Sequence, residues 1–295
     1  MLLLTGATGR VGSALLRRLT TARVPVRCLV RDPRRLGAER VRVQIALGNL
    51  ADPPSFRNAL RGVTTVVHLA ASIRDQPQGS IEELNGIATW RLVQAAERAG
   101  VEHFVFTSAL GASAHNRTRF LRAKALAEQA VVESSLRHTI VAPSIVYAPG
   151  DKLTTLVGRL ALLPVVPLSG HGRARFEPIW ADDVADCLIA ALDRRVDPER
   201  PNLRVELAGP DVHTYEDIVR MILLAANRPR PLVPVPLGVA ARALRLAEAL
   251  MKSATPVTWD EAELLEVSMT SRHGTADAER LGVVPKRLAA VLGAL

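Results

Sequence analysis

Cysteine and long apolar runs are both scarce in this 295-residue sequence. Its two cysteines, Cys28 and Cys187, lie far apart among apolar neighbours and are too few for a disulfide framework or a Cys-ligated metal site. The longest apolar run, LALLPVVPL, falls far short of the about 18 residues that a membrane-spanning helix needs, and no basic leader precedes the first apolar residues. We therefore expect a cytoplasmic protein with no transmembrane segment.

The signatures of several enzyme classes are also missing from the sequence. It contains no Gly-x-Ser-x-Gly elbow, no P-loop, and no His-x-x-x-His or Cys-x-x-Cys pair. The seven histidines are dispersed, so we expect no metal site, and neither a hydrolase nor a kinase is supported. With 48% hydrophobic and 23% charged residues, the composition excludes a disordered or collagen-like chain.

Lysine occurs at only four positions, so 34 of the 38 basic residues are arginine, and the formal net charge is +9. Ten of these arginines lie within residues 1–50, against only Asp32 and Glu39. This local excess predicts that an anion binds near the start of the chain. The arginines form no helix-turn-helix or aromatic-interleaved array, and we expect no nucleic-acid partner.

Short apolar runs alternate with amphipathic stretches through the first 150 residues, which is typical of βαβ units and a parallel sheet. Right-handed crossovers predict the strand order 3-2-1-4-5-6 of a Rossmann-type, doubly wound α/β fold. We expect an NAD(P)-binding domain at 1–150 and a smaller substrate and lid region at 151–295, interleaved with the last strands of the same sheet. The six predicted strands are 2–5, 26–30, 41–45, 65–70, 103–108 and 139–147.

Helical periodicity fills most of the segments between these strands. The apolar stretch from Leu153 to Leu168 is interpreted as a lid. Residues 236–252 predict an amphipathic helix near this lid, which either packs on the core or docks on a membrane surface or a partner helix. The predicted helices that bear on the site are 13–22, 81–100, 117–135, 182–195 and 214–226.

The segment TGATGRVG places Gly6, Gly9 and Gly12 at the turn from the first strand into the first helix. Pyrophosphate must approach the backbone N–H groups at a helix N-terminus, and a Cβ there would block the turn or the helix–strand packing. Because the three glycines follow a strand within a predicted βαβ unit, they predict a dinucleotide site.

The second strand ends at Arg31 and Asp32, about twenty residues after Gly12. An acidic residue there would pair with the ribose hydroxyls of NAD, whereas an arginine accommodates the 2′-phosphate of NADP. Arg31 directly follows the strand, and Arg10, Arg34 and Arg35 can join it around a dianion. We therefore expect NADP(H) to be preferred over NAD(H); the alternative is that Asp32 selects NAD.

Nearly from end to end, the sequence resembles the extended and atypical short-chain dehydrogenases/reductases of the NAD-dependent epimerase/dehydratase type. TGATGRVG is similar to their glycine motif, GNLAD to their adenine-contacting segment, and VVHLAA and APSIVYAPGD to two motifs beside the cofactor. SALGA and FLRAKALAE are most like the branch of the NAD(P)H-binding accessory subunit of respiratory complex I and NmrA-like proteins. The cofactor-binding residues that the resemblance implies are Gly6, Thr8, Gly9, Arg10, Val11, Gly12, Arg31, Asn49, Leu50, Leu69, Ala70, Ala71, Thr107, Lys124, Pro143 and Ile145.

The reaction centre of that superfamily is a tyrosine followed four residues later by a lysine, in which the tyrosine exchanges the proton while hydride moves. The matching residues here are Phe120 and Lys124. Phenylalanine has no ionisable group, so ordinary ketone reduction cannot run through this position. The resemblance implies that Lys124, one helical turn away on the same face, still binds the nicotinamide ribose.

Other residues that could supply a proton lie near the predicted nicotinamide end of the sheet. The usual catalytic serine aligns with Ala109, which leaves Ser108 and Thr107 on opposite faces of the strand. Tyr147 follows the sixth strand and is a further candidate acid. The loop residues His115 and Ser113 are weaker alternatives, and His68 is interpreted as a hydrogen-bonded core histidine.

Two functions remain open at this point. The first is an NADPH-dependent reductase or isomerase that acts on an apolar or aromatic small molecule, because the lid is apolar and hydride transfer to a quinone needs no tyrosine. The second is a non-catalytic NADP(H)-binding sensor or assembly factor that acts through a protein partner. A homodimer is also open.

Overall fold

The computed structural model describes residues 1–193, 201–236, 238–242, 244–245 and 257–293. Its centre is a seven-stranded, all-parallel sheet with the order β11-β6-β5-β4-β1-β2-β3, which confirms the predicted order and adds one strand at the edge. The strands of this sheet are β1 (Leu2–Thr5), β2 (Val26–Val30), β3 (Gln44–Leu47), β4 (Thr65–His68), β5 (His103–Thr107), β6 (Arg137–Pro143) and β11 (Leu203–Leu207).

Three two-stranded sheets lie outside this central sheet, among the described ranges. They pair β7 (Val146–Tyr147) with β10 (Ile179–Trp180), β8 (Val166–Ser169) with β13 (Leu232–Val235), and β9 (Arg175–Phe176) with β12 (His213–Thr214). The α-helices are α1 (Arg10–Thr21), α2 (Pro53–Phe56), α3 (Ala88–Arg98), α4 (Arg119–Val132), α5 (Lys152–Leu160), α6 (Ala181–Asp193), α7 (Tyr215–Ala225), α8 (Trp259–Leu264), α9 (Ala276–Arg280) and α10 (Leu288–Leu292).

The core consists of three apolar clusters. One packs α1 and α6 on one face of the sheet, and another packs α2, α3 and α4 on the other face, so the sheet is covered on both sides as a doubly wound fold requires. We name the third the outer cluster: it lies beyond the strand ends and combines residues of β7, α5, α7 and α10, including Tyr147 and Phe176. The outer cluster also holds Val157, Val166 and Leu168 of the lid segment, whereas Leu162 is exposed.

Two of the predicted strands have different bounds in the structure, and one predicted helix is largely not described. The strand predicted at 139–147 is two strands, because the chain leaves the sheet at Ser144, whose N–H bonds to Leu207 and whose hydroxyl donates to the carbonyl of Met269. The third strand covers Gln44–Leu47 instead of 41–45, since a 3₁₀ segment extends to Arg42. The predicted helix 236–252 lies largely outside the described residues, which include only 236, 238–242 and 244–245 of it.

A helix that crosses a bilayer needs roughly 20 consecutive, mostly apolar residues. Among the residues that the structure describes, no helix is both long enough and apolar enough to cross a membrane.

Candidate active site

The glycine loop between β1 and α1 brings backbone close to backbone. Gly6 has φ +75°, and a Cβ on it would lie 2.6 Å from the backbone nitrogen of Ala70. A Cβ on Gly12 would lie 2.1 Å from the carbonyl oxygen of Gly6. Gly9 is the N-cap of α1 and supplies no side-chain cap, which leaves the first N–H groups of the helix for a ligand. A side chain at Gly6 or Gly12 would therefore clash with backbone atoms. This is expected of a loop whose backbone must come close to a pyrophosphate.

A cleft of about 910 Å³ opens at this loop, over the carboxyl ends of β1, β2 and β4. This is where a doubly wound fold binds its ligands, and the volume is that of a small-molecule site. The residues present fit a dinucleotide, with the backbone cradle at one side and arginines at the other. Nine of the residues named from the sequence line the cleft: Gly6, Thr8, Gly9, Arg31, Asn49, Leu50, Leu69, Ala70 and Ala71.

The other named cofactor residues lie elsewhere around this edge of the sheet. Arg10 is not among the residues that line the cleft, and its guanidinium donates a hydrogen bond to the carbonyl of Gly150. Val11 packs against the core cluster beneath α1. Thr107 and Pro143 are the last residues of β5 and β6, at the neighbouring strand ends. The structure thus divides the named residues between the cleft and a second group beside it.

At the tip of β2, Asp32 is already engaged. Its carboxylate accepts hydrogen bonds from the backbone N–H of Arg34 and from the Arg34 guanidinium, at 3.0 to 3.2 Å. The hydrogen bonds from Arg34 hold the pKa of Asp32 below its usual value. Arg31 and Arg35 line the cleft beside it. This tip therefore offers two arginines to a ligand, while the carboxylate is occupied by its own neighbour.

Sequence reasoning missed the residues at the far side of the cleft, which come from the loop after β4 and from α5. Arg74, Gln76, Gln78 and Lys152 line it. Arg74 forms a two-point ion pair with Glu261 of α8, with N–O distances of 3.0 and 2.6 Å. The two partners are 187 residues apart, so no local pattern could have revealed the pair. The only sequence signal was a basic residue soon after the fourth strand.

Lys124 is fully buried beside the ends of β5 and β6. Its ammonium donates a 2.6 Å hydrogen bond to the carbonyl of Thr107 and lies 4.8 Å from the ring centre of Phe106 and 5.7 Å from that of Phe120. Burial lowers the pKa of Lys124 to about 7. Since an ammonium has three donors, the Thr107 carbonyl leaves capacity for a ligand. Phe120 therefore stands next to the lysine, as the helical spacing predicted.

Three hydroxyls at or just after the end of β5 and within β7 are buried without a hydrogen-bond partner among the described residues. They are Thr107 Oγ1, Ser108 Oγ and Tyr147 Oη. Burial, and secondarily the charge of Asp183, raises the pKa of Tyr147 above its usual value. A buried polar group without a partner is costly, and such groups mark places where a ligand or water binds.

His68 forms part of the structural core. Its Nδ1 lies 2.6 Å from Thr5 Oγ1 and its Nε2 lies 2.9 Å from Thr89 Oγ1, so both ring nitrogens are paired. Burial lowers the pKa of His68 to about 3, which keeps the ring neutral at physiological pH. Of the weaker candidate acids, His115 and Ser113 are exposed in the loop before α4 and do not line the cleft.

Comparison with known proteins gives one family. Residues 6–195 match the model of an NAD(P)H-binding family. Among curated proteins, the chain is 32% identical to sterol demethylase protein B of Methylococcus capsulatus, over 79% of this chain and 77% of the other. It is 30% identical to an NAD(P)H azoreductase of Xenophilus azovorans, over 83% and 80%.

Two further likenesses extend the comparison. The chain is 29% identical to the NADH dehydrogenase [ubiquinone] 1 alpha subcomplex subunit 9 of Arabidopsis thaliana, over 74% of this chain and 56% of the other. An Escherichia coli NADPH-dependent quinone oxidoreductase, solved with NADPH, superposes with a TM-score of 0.75 over 100% of this chain and 99% of the other, at 16% identity. The second likeness supports the fold alone.

Proposed function

Because this chain belongs to the NAD(P)H-binding family, within the atypical short-chain dehydrogenases/reductases, we propose that it is an NADPH-dependent reductase of apolar or aromatic small molecules, with quinones and conjugated enones as the acceptors. The observation that carries the proposal is a glycine cradle suited to the cofactor beside a proton-donor position that holds Phe120. The cradle supports hydride chemistry, whereas Phe120 restricts which acceptors can be reduced.

The nicotinamide cofactor supplies the hydride when it is bound. Residues of this chain would hold it: the glycine loop would admit the pyrophosphate, and Lys124, which donates a hydrogen bond to the Thr107 carbonyl, would donate another to the ribose. Hydride addition to a quinone or conjugated carbonyl leaves an anion that a backbone N–H can stabilise by hydrogen bonding and that solvent can protonate. Such an acceptor therefore needs no tyrosine at position 120.

The preference for NADP(H) over NAD(H) rests on the tip of β2. Arg34 occupies the Asp32 carboxylate, which weakens the feature that would select NAD. Arg31 and Arg35 are available at the cleft wall to pair with a 2′-phosphate. Arg10 would join them only by exchanging its hydrogen bond to the Gly150 carbonyl for one to the phosphate.

The apolar substrate class is supported by the surroundings of Phe120. Its ring packs against the outer cluster, which is built largely of aliphatic and aromatic side chains. The relative reported above as an NAD(P)H azoreductase is named as a reductase, and a site of this composition favours apolar acceptors.

Steady-state oxidation of NADPH and NADH with quinones, enones and unactivated ketones tests the proposal. Turnover of quinones or enones with NADPH, and little or none with simple ketones, is the expected result. Arg31→Ala should lower the NADPH-to-NADH preference about tenfold, since a charged hydrogen bond to the phosphate is lost. Arg40→Ala, which removes the same charge from an exposed position outside the cleft, should leave the preference unchanged.

A second candidate function is a non-catalytic NADP(H)-binding factor that acts through a partner protein. Phe120 favours it, and so does the likeness to a subunit of NADH dehydrogenase. Tight NADP(H) binding with no turnover of any acceptor in the same experiment would select this alternative.

A further inference from the structure

Beyond the cofactor cleft, two aromatic side chains with unpaired polar atoms lie side by side. Tyr147 and Trp180 are register partners in the short parallel pair β7–β10, which places their side chains on the same face. The phenol Oη and the indole Nε1 are both buried, and neither atom has a hydrogen-bond partner in the described part of the chain. Only 5% of Tyr147 is exposed.

These two unpaired atoms are not explained by packing. The bodies of both rings pack with the outer cluster, and Lys286 covers the Trp180 ring at 4.3 Å from its centre. Those contacts satisfy the apolar parts of the rings and leave the two donors unused. A buried donor that lacks an acceptor destabilises the empty protein, so a pair of them on one face points to a ligand atom between them.

The hydrogen-bonding properties of Tyr147 Oη and Trp180 Nε1 indicate which kind of ligand atom would bind between them. An indole N–H can only donate, and a buried phenol that stays protonated at neutral pH can donate as well. Asp183 lies near enough to Tyr147 to raise its pKa, while the Lys286 ammonium lies over the Trp180 ring and interacts with Asp183, so the charges beside the pair offset each other and favour a neutral ligand. Two unpaired donors on register-paired residues, among apolar side chains, therefore suit the oxygen of a neutral carbonyl.

We infer that Tyr147 Oη and Trp180 Nε1 together bind the carbonyl oxygen of the substrate, as a two-donor subsite for a neutral quinone or aromatic ketone. The inference rests on the proposed reductase function for its ligand class. Phe120 packs against the same outer cluster, so the subsite and the residue in the proton-donor position border one apolar region. Hydrogen bonds from the pair would also stabilise negative charge that develops on this oxygen.

A binding experiment without turnover tests the subsite. Menadione is titrated into ¹⁵N-labelled full-length protein saturated with NADP⁺, which carries no hydride, and the indole N–H resonances are followed. The Trp180 resonance, assigned by its loss in Trp180→Phe, should shift on binding. Tyr147→Phe and Trp180→Phe should each raise the Kd about five- to tenfold, the effect of one lost hydrogen bond.

Matched controls separate hydrogen bonding from packing. Tyr215→Phe removes a different buried phenol of the outer cluster, and Trp90→Phe changes an exposed indole; both should leave the Kd within about twofold. 2-Methylnaphthalene has the same rings as menadione without oxygen, so its binding should not respond to Tyr147→Phe.

The outcomes distinguish this inference from the proposed function. An unchanged Kd in Tyr147→Phe and Trp180→Phe overturns the subsite, even if the wild type oxidises NADPH with menadione. Binding that depends on both residues supports the subsite, even if no NADPH is oxidised and the reductase proposal fails. Tyr147-dependent binding of benzoate in place of menadione, or no menadione binding at all, also overturns it.

Discussion

Two groups of buried polar side chains at the same edge of the sheet differ in how they are satisfied. At the ends of β1 and β4, Thr5, His68 and Thr89 form a continuous chain of hydrogen bonds at 2.6 and 2.9 Å. Beside β5 and β7, the hydroxyls of Ser108 and Tyr147 are equally buried, yet they have no partner among the residues described. The first group is hydrogen-bonded within the fold, whereas the second keeps unused hydrogen-bonding capacity, which we propose a ligand uses.

The same contrast separates the two buried bases. His68 uses both ring nitrogens, and burial holds its pKa at about 3, so it stays neutral and structural. Lys124 has one carbonyl partner and a pKa of about 7, so it changes charge near neutral pH next to the ring of Phe120. A buried group poised near neutral pH is typical of a functional site.

The largest expected effect comes from restoring a proton donor beside Lys124. Phe120→Tyr should raise the rate of NADPH-dependent reduction of simple ketones by about a hundredfold, the usual contribution of a positioned acid. The ring of Phe120 already lies 5.7 Å from the ammonium, so the added hydroxyl enters the existing pocket.

Phe120→Leu is the control for this change, because it alters the ring without adding an acid, and it should not raise ketone reduction. A wild type that already reduces unactivated ketones as fast as Phe120→Tyr would contradict the assigned role of position 120.

Next in size is the effect of filling the cradle. Gly6→Ala adds a Cβ 2.6 Å from Ala70 and keeps an unfavourable positive φ, so the free energy of unfolding should fall by about 3 kcal/mol and NADPH affinity by at least about tenfold. Gly100→Ala is a matched control, since Gly100 has φ +73° and open space around it. It should cost only about 1 kcal/mol and leave NADPH affinity unchanged. Urea unfolding and calorimetric titration measure both variants, and equal loss of affinity in the two would refute the cradle.

Much of the fold could be predicted from local sequence. The strands at Leu2–Thr5 and Val26–Val30 were placed at their observed bounds, because apolar runs between turn residues determine strands of a buried parallel sheet. The split at Ser144 could not be predicted, since its partners Leu207 and Met269 are distant in the chain.

The site shows the same limit. The spacing of Gly6, Gly9 and Gly12 predicts the cradle because the constraint lies in consecutive backbone. The pairing of Arg74 with Glu261, and that of Tyr147 with Trp180, depends on elements that only the tertiary fold brings together. The hydrogen bond from Arg10 to the carbonyl of Gly150 joins residues that are 140 apart, and local sequence could not predict it either.

A smaller effect tests the charge state of Lys124. Its folded pKa of about 7 lies below the value of an unfolded lysine, so the unfolded chain binds more protons between about pH 7 and 10, and stability rises with pH across that window. Relative to wild type, Lys124→Met should lose this rise, a difference on the order of 2 kcal/mol in the free energy of unfolding. Cys28 and Cys187 titrate in both proteins and cancel in the comparison. Parallel stability curves from pH 6 to 10 would show that the lysine keeps an ordinary pKa.

The smallest effect distinguishes the two groups of polar side chains most directly. Ser108→Ala removes a buried hydroxyl that bonds to nothing described, so the free energy of unfolding should stay constant or rise by up to about 1 kcal/mol. Thr89→Val removes a hydroxyl of the same kind that is bonded to His68, and it leaves the ring nitrogen unpaired. That variant should lose about 1–3 kcal/mol, measured as a lower urea midpoint at constant slope. Because both changes keep nearly the original volume, the difference between them isolates the hydrogen bond. Equal losses in the free energy of unfolding of Ser108→Ala and Thr89→Val would mean that the Ser108 hydroxyl has a structural partner in the ligand-free protein. The unpaired hydroxyls at the ends of β5 and β7 would then be no sign of a ligand site.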